Sequence, residues 1–185
     1  VISIALNPTQ PQTAYAGTSG GVYKSVDGTK SWTKINNGLV DPEVLKSSRA
    51  LGVTKIKVDP HHPETVYTAT LSGLYKTMNG GGVWKKIGET LPDPMLSDLI
   101  IDFSTPHQLY VGSRAGIHKS SDGGHTWEAK NKGLASLNIR AMAISPLDSN
   151  ILYAGTNKDG LYQSINGGET WTQLPLTLRQ QPGLN

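Results

Sequence analysis

The sequence predicts an all-β fold: a β-propeller unit of four blades, each a four-stranded antiparallel sheet. Three observations predict it. The only four tryptophans, Trp32, Trp84, Trp127 and Trp171, recur at intervals of 52, 43 and 44 residues, and each closes the same eight-residue phrase. Each phrase is preceded by the same series of short strand-like segments, separated by Pro and Gly turns. No helix-period pattern of useful length appears. Self-similarity at about 40–50 residues, with four short strands per period, is the unit of a propeller. One blade cannot bury both of its faces alone, so blades pack side by side.

The strands are taken in order as A, B, C and D. Strand A is apolar and runs into a turn: Ile2 to Leu6 before Asn7-Pro8, Ile56 to Val58 before Asp59-Pro60, Leu99 to Phe103 before Ser104, and Ala141 to Ile144 before Ser145-Pro146. Strand B is Tyr15-Ala16-Gly17-Thr18, Tyr67-Thr68-Ala69-Thr70, Tyr110-Val111-Gly112-Ser113 and Tyr153-Ala154-Gly155-Thr156. Strand C follows a glycine, at Gly21-Val22-Tyr23-Lys24, Gly73-Leu74-Tyr75-Lys76, Gly116-Ile117-His118-Lys119 and Gly160-Leu161-Tyr162-Gln163. Strand D starts at the tryptophan. The predicted blades are 1–47, 48–97, 98–138 and 139–185, within one propeller unit over 1–185.

The eight-residue phrase is the C–D turn. Its copies run Ser25 to Trp32, Thr77 to Trp84, Ser120 to Trp127 and Ser164 to Trp171. Glycine supplies the positive-φ positions of a tight turn without steric cost. Asp27, Asn79, Asp122 and Asn166, at the third position, are placed to accept backbone N–H groups, and Ser25, Thr77, Ser120 and Ser164 do the same more weakly. Each tryptophan offers a large apolar plate to a neighbouring blade. This chemistry is structural, and the two Asn copies weaken any cation site.

Composition narrows the function classes. The chain has 185 residues, 17 basic against 14 acidic, and no cysteine. A net charge of +3 with no basic run longer than Lys85-Lys86 does not point to nucleic acid. The absence of thiols removes disulfides, thiol catalysis and thiolate metal sites. No stretch approaches the roughly 18 apolar residues of a membrane helix. No phosphate-cradling loop, nucleophile elbow or cofactor motif is present, so no cofactor is expected. His61-His62-Pro63-Glu64 falls in an A–B turn, aligned with Thr9-Gln10-Pro11-Gln12, and is not read as a metal site.

The four phrases resemble the Asp-box, or bacterial neuraminidase, repeat family, whose pattern is S/T-x-D-x-G-x-T-W. The departures are Thr29 in the first copy, Val83 for Thr in the second, and Asn79 and Asn166 for Asp. The Pro turns before the Tyr strands look most like the branch holding xyloglucanases, sortilin-type receptors and photosystem II assembly factors. The resemblance implies a propeller and, for compartment, leans extracytoplasmic or secreted. It says little about activity, because enzymes and binders share the box.

In a propeller the D–A and B–C connections share one face, and the A–B and C–D turns share the other. The boxes therefore lie opposite the face where loops vary in length and function is expected. The longest D–A connection runs from Trp32 to Asp59. Arg49 and Arg140 precede A strands, Arg114 lies in a B–C loop, Arg179 follows the last D strand, and Lys158 and Asp159 share a B–C loop. Arg49, Arg114, Arg140, Lys158 and Asp159 are the candidate ligand-binding residues, since clustered Arg suits carboxylate or phosphate groups. Asp41, Glu43, Glu89, Asp93 and Asp98 are loop carboxylates on the same face, and a glycosidase needs two such groups about 5–10 Å apart. No catalytic residue is assigned. No Arg-Ile-Pro phrase of the sialidases occurs.

The expected function is a non-catalytic binding or assembly module for a protein or glycan. The alternatives are a glycoside hydrolase of sialidase-like or xyloglucanase-like type, whole or in fragment, and a structural array without a ligand. Four blades also raise the question of closure: a four-bladed ring, more blades of a longer chain, or a second copy. Association, with more of the same protein or with a second copy, is the expected solution.

Overall fold

The computed structural model describes residues 1–39, 51–105 and 107–175. Its strands form four four-stranded antiparallel sheets, each a meander in chain order. The first blade is β1 (Ser3–Leu6), β2 (Ala14–Thr18), β3 (Gly21–Ser25) and β4 (Thr33–Lys34). The second is β5 (Val53–Val58), β6 (Val66–Thr70), β7 (Gly73–Thr77) and β8 (Lys85–Ile87). The third is β9 (Asp98–Ile101), β10 (Leu109–Ser113), β11 (Gly116–Ser120) and β12 (Glu128–Ala129). The fourth is β13 (Ile139–Ile144), β14 (Leu152–Thr156), β15 (Leu161–Ser164) and β16 (Thr172–Leu174). The A strands β1, β5, β9 and β13 pack side by side in that order.

Several strand boundaries differ from the sequence reading; β5 starts at Val53, and each D strand starts one residue after its tryptophan. β9 ends at Ile101, because Asp102 takes the turn position held by Asn7 and Asp59: its N–H donates to Gln108 O as theirs do to Thr13 O and Thr65 O. Phe103 therefore lies beyond the strand, exposed. Asp98 opens β9 and is buried, so it is not a loop carboxylate. Arg140 lies within β13, at a register shift between Ile139 and Ala141, where it forms a β-bulge.

The core sits between blades. One cluster joins Tyr15 and Val22 of the first blade to Val53, Ile56 and Trp84 of the second. A second joins Tyr67 and Leu74 to Leu99 and Leu109, and a third joins Tyr110 and Ile117 to Ile139, Tyr162 and Trp171. The small residue two places after the B-strand tyrosine follows from this packing. A Cβ at Gly17 would overlap Val53 Cγ1, and one at Gly112 would come within 2.7 Å of Ile139 Cγ2. Each glycine thus admits the first A-strand side chain of the next blade.

One contact repeats across the interfaces and another within the blades beside them. The Tyr15 and Tyr110 hydroxyls donate to the box carbonyls of Gly80 and Gly167, at 3.5 and 3.0 Å. Lys24, Lys76 and Lys119, cross-strand partners of the tyrosines, lie 5.1–5.4 Å from the ring centroids. Burial pushes the Tyr15 and Tyr67 phenols up to about 12, so both stay neutral.

The tryptophans differ by position. Trp84 and Trp171 are 2% and 4% exposed, and their indole N–H groups donate to Ile35 O and Lys130 O of the preceding blade at 2.7 and 2.8 Å. Trp127 is half-buried and donates within its own turn, to Gly124 O. The sequence places Trp32 against a neighbouring blade, but it is 38% exposed: no blade among the described residues lies against it. The fourth blade does not cover it: Ile4 on the same face is 63% exposed, while its equivalents Ile56 and Leu99 are 1% and 0%. The described residues therefore form an open array and not a closed four-bladed ring.

Candidate functional site

The four C–D turns share one hydrogen-bond scheme. In the first, Ser25 Oγ donates to Asp27 Oδ1 at 2.8 Å and the Ser31 N–H donates to the same oxygen at 3.0 Å. The third repeats it, with Ser120 Oγ and the Thr126 N–H on Asp122 Oδ1. Thr77 and Val83 serve Asn79 in the second, and Ser164 and Thr170 serve Asn166 in the fourth. Asn and Asp differ only at the second atom. Asp27 Oδ2 and Asp122 Oδ2 each accept from a hydroxyl at 2.6 Å, whereas Asn166 Nδ2 donates to Thr170 Oγ1 at 2.8 Å. The Ser31 hydroxyl and the turn's N–H groups hold Asp27 down at about 2, and the Thr126 hydroxyl holds Asp122 well below the usual carboxylate range. The oxygens a cation would need are engaged by the turn itself.

On the opposite face each B–C turn is latched by a hydroxyl. Thr18, Thr70 and Ser113 accept an N–H two residues on and donate to the carbonyl of the glycine three residues on. Those glycines, Gly21, Gly73 and Gly116, have positive φ. Thr156 latches a turn one residue longer, with Asp159 N–H and Gly160 O. The third turn carries Arg114, whose N–H donates to Asp93 Oδ2 at 3.2 Å, while Asp93 Oδ1 accepts from Met95 N. One carboxylate thereby ties the D–A loop of blade two to the B–C turn of blade three.

Arg140 reaches the same place from another element. The bulge in β13 turns its side chain toward the B–C loop, and its Nε donates to Asn157 Oδ1 at 3.0 Å. At the corresponding place Thr54 and Ser97 staple their blade to the next. Thr54 Oγ1 donates to Leu96 O at 2.7 Å and Ser97 Oγ donates to Ile139 O at 2.7 Å. The fourth blade has arginine where the second and third have this hydroxyl and the first has Ile2.

Arg114 and Arg140 line one recess of about 130 Å³ with Thr54, Ser97, Asn138 and Leu96. No carboxylate side chain lines it among the described residues. Lys158 and Asp159 lie in the neighbouring loop and do not line it; the Asp159 carbonyl accepts from Gln173 Nε2. Arg49, Arg179, Asp41 and Glu43 lie outside the described residues. At the other mouth a cavity of about 220 Å³ is lined by Lys57, Phe103, Met142 and aliphatic A-strand residues. His61 and His62 there cap the Asp59 turn through their N–H groups.

Sequence reasoning missed the central strut. Asp98 Oδ1 lies 3.1 Å from Lys55 Nζ of blade two, and its Oδ2 accepts from Met142 N of blade four at 2.8 Å. Ser3 does the same one step earlier, accepting from Ile56 N at 3.1 Å. The alignment of Ser3 with Asp98, two short polar residues opening A strands, was the available signal.

Fold and site together define a propeller of Asp-box blades with an arginine-bearing loop face. The family model of the photosynthesis system II assembly factor YCF48 matches residues 83–184, more than half of the chain, and the chain belongs to that family. A probable oligoxyloglucan-reducing end-specific xyloglucanase of Neosartorya fischeri is 34% identical over 87 residues, 45% of this chain and 10% of that protein. Two solved structures share the fold. The GH74 xyloglucanase of Xanthomonas campestris aligns at TM-score 0.76 and 19% identity, over 97% of this chain and 31% of its own. YCF48 from Cyanidioschyzon merolae aligns at 0.62 and 16%, over 92% of this chain and 55% of its own. The chain thus spans a tenth of the curated relative and about a third to a half of these two structures.

Proposed function

We propose that this chain is a non-catalytic propeller module that binds a protein or glycan through its D–A and B–C loops. The observation that carries the reading is the meeting of Arg114 and Arg140 at one recess with hydroxyl and amide groups. Two arginines, Arg114 on a turn whose backbone is latched and Arg140 held through its Nε by Asn157, suit a carboxylate-bearing or hydroxyl-rich partner. The recess is well below the roughly 300–1,000 Å³ of a pocket that encloses a small ligand, so a surface contact fits better. A family described by an assembly factor supports a protein partner. Lys158 and Asp159, in the neighbouring B–C loop, are further candidates, and Arg49 is one by its place in the sequence.

A second reading, a piece of a xyloglucanase-like glycoside hydrolase, is favoured by the 34% identity to the Neosartorya fischeri protein. The two readings part on turnover. Glycan and peptide arrays, with fluorogenic sialoside and xyloglucan assays, are run on the chain and on Arg114→Ala and Arg140→Ala. Binding without turnover, weakened at least about tenfold in each variant at unchanged melting temperature, supports the module. Turnover that is lost in Arg114→Ala supports the hydrolase and removes the first reading.

A further inference from the structure

Each of the three blade interfaces brings the same four groups together on the box face. The earlier blade gives its B-strand tyrosine and the cross-strand lysine. The later blade gives the first glycine of its box and the A–B turn residue whose carbonyl accepts that glycine's N–H. These pairs are Gly80 with Glu64, Gly123 with His107, and Gly167 with Asn150. At the first interface Lys24 Nζ and the Tyr15 hydroxyl donate to Gly80 O, at 3.1 and 3.5 Å. At the third, Lys119 Nζ and the Tyr110 hydroxyl donate to Gly167 O, at 3.4 and 3.0 Å.

The second interface lacks both bonds. Lys76 Nζ and the Tyr67 hydroxyl have no hydrogen-bond acceptor among the described residues, although Tyr67 is 1% exposed. Trp127 does not reach back across this interface either, since its indole N–H donates within its own turn. A buried hydroxyl without a partner is costly, and such a group marks a place for a water or an ion. Desolvation lowers the Lys76 ammonium from its ordinary value, with Asp59 opposing. The Asp59 carboxylate is itself engaged: Oδ1 accepts from the N–H groups of His61 and His62, and Oδ2 lies 3.6 Å from His62 Nδ1.

The three unmatched groups converge on one point. A Cβ at Gly123 would lie 3.6 Å from Lys76 Nζ, 3.7 Å from His107 Nδ1 and 4.0 Å from the Tyr67 hydroxyl, which are its nearest atoms outside its chain neighbours. At Gly80 the same position is filled, because a Cβ there would overlap Glu64 Oε2, with Lys24 Nζ at 2.8 Å. The first interface thus carries its own carboxylate oxygen where the second has space and an imidazole nitrogen. We propose that the cleft between blades two and three, at Lys76, Tyr67 and His107, binds a small oxyanion, a phosphate or carboxylate group, in the place that Glu64 fills one interface earlier. The ammonium supplies charge, the phenol a buried donor, and His107 Nδ1 a third donor when it carries a hydrogen. The site lies on the box face and stands independently of the Arg114 and Arg140 recess.

Isotope-labelled chain, followed by amide NMR, is titrated with inorganic phosphate and separately with acetate, in chloride buffer at constant ionic strength. The Gly123 and His107 signals are expected to move to saturation while those of Gly80 and Gly167 stay. Lys76→Gln and Tyr67→Phe are each expected to weaken binding at least about fivefold. Lys24→Gln and Lys119→Gln remove the equivalent lysines and leave it intact, which separates a lost donor from a loosened fold. His107→Glu, which installs the carboxylate of the first interface, abolishes binding. Arg114→Ala leaves these shifts unchanged, so failure here and failure of the loop-face reading are distinct. Tighter phosphate assigns a phosphate group, and tighter acetate a carboxylate. Shifts that do not saturate by about 100 mM, or that survive Lys76→Gln, overturn the proposal and leave the Tyr67 hydroxyl to water.

Discussion

The indole N–H of Trp84 donates to the carbonyl of Ile35, 49 residues earlier and one blade back, at 2.7 Å. The Trp84 backbone N–H donates to Asn37 O at 2.8 Å, so one residue anchors two blades to each other by two bonds. Trp171 repeats both bonds, with Lys130 O and Lys132 O. Stability in this array is accordingly a property of interfaces, as in other repeat proteins.

Trp84→Ala is expected to cost about 3–5 kcal/mol, since it removes a fully buried indole from the first inter-blade cluster. Trp84→Phe keeps part of the packing but leaves the Ile35 carbonyl without its donor, and is expected to be the milder variant. Urea unfolding followed by circular dichroism measures both. Equal losses would mean that packing contributes nothing beyond the hydrogen bond.

Gly133→Ala is expected to destabilise by more than about 2 kcal/mol. Gly133 has a φ of 96°, and a Cβ there would overlap the Trp171 carbonyl oxygen. The obstacle is backbone, which has no rotamer to move. A melting temperature unchanged from the parent would show that the third interface yields more easily than its packing implies.

Thr29→Gly is expected to stabilise by about 0.5–1 kcal/mol. Thr29 is the non-glycine residue with positive φ, at 71°, among the described residues. A β-branched side chain in that region costs about 1–2 kcal/mol, partly offset by the larger entropy glycine loses on folding. Thermal unfolding in a common buffer tests it, and a lower midpoint for the glycine variant would refute the strain.

Acid should weaken the first and third boxes and spare the other two. Asp27 is held at about 2 and Asp122 lower still, against an unfolded value near 4. A depressed folded value means that the unfolded chain binds protons first. The contribution is therefore complete above about pH 4 and is lost as pH falls through the folded values. Asn79 and Asn166 hold their turns without a titrating group. Asp27→Asn combined with Asp122→Asn should flatten the fall in melting temperature between about pH 4 and 2. Asp102 and Glu169, also held low, keep part of the slope. An unchanged slope in the double variant counts against the boxes.

The repeat made the fold legible because its signals are local. Glycines at 28, 80, 123 and 167 take positive φ, and the polar residue just before each of them accepts its own turn's N–H groups. Nothing local separates Trp32 from Trp84, since their phrases match and their exposure depends on whether a blade lies beneath. Phe103 misled for the same reason: the apolar run continues through it, but the strand stops where Asp102 turns. Arg114 was visible as a loop arginine. Its meeting with Arg140 was not, because a bulge in β13 aims Arg140 and bulges leave no clear mark in a single sequence.

By itself the sequence determined the period, the strand order, the C–D turn chemistry and the face on which the boxes lie, all of which rest on turn stereochemistry and two-residue alternation within about 50 residues. Only the tertiary structure decided which tryptophans are covered, that Asp98 joins Lys55 and Met142 across three blades, and that Arg114 and Arg140 share a recess. Those outcomes depend on the angle and spacing at which whole blades pack, which no short segment encodes.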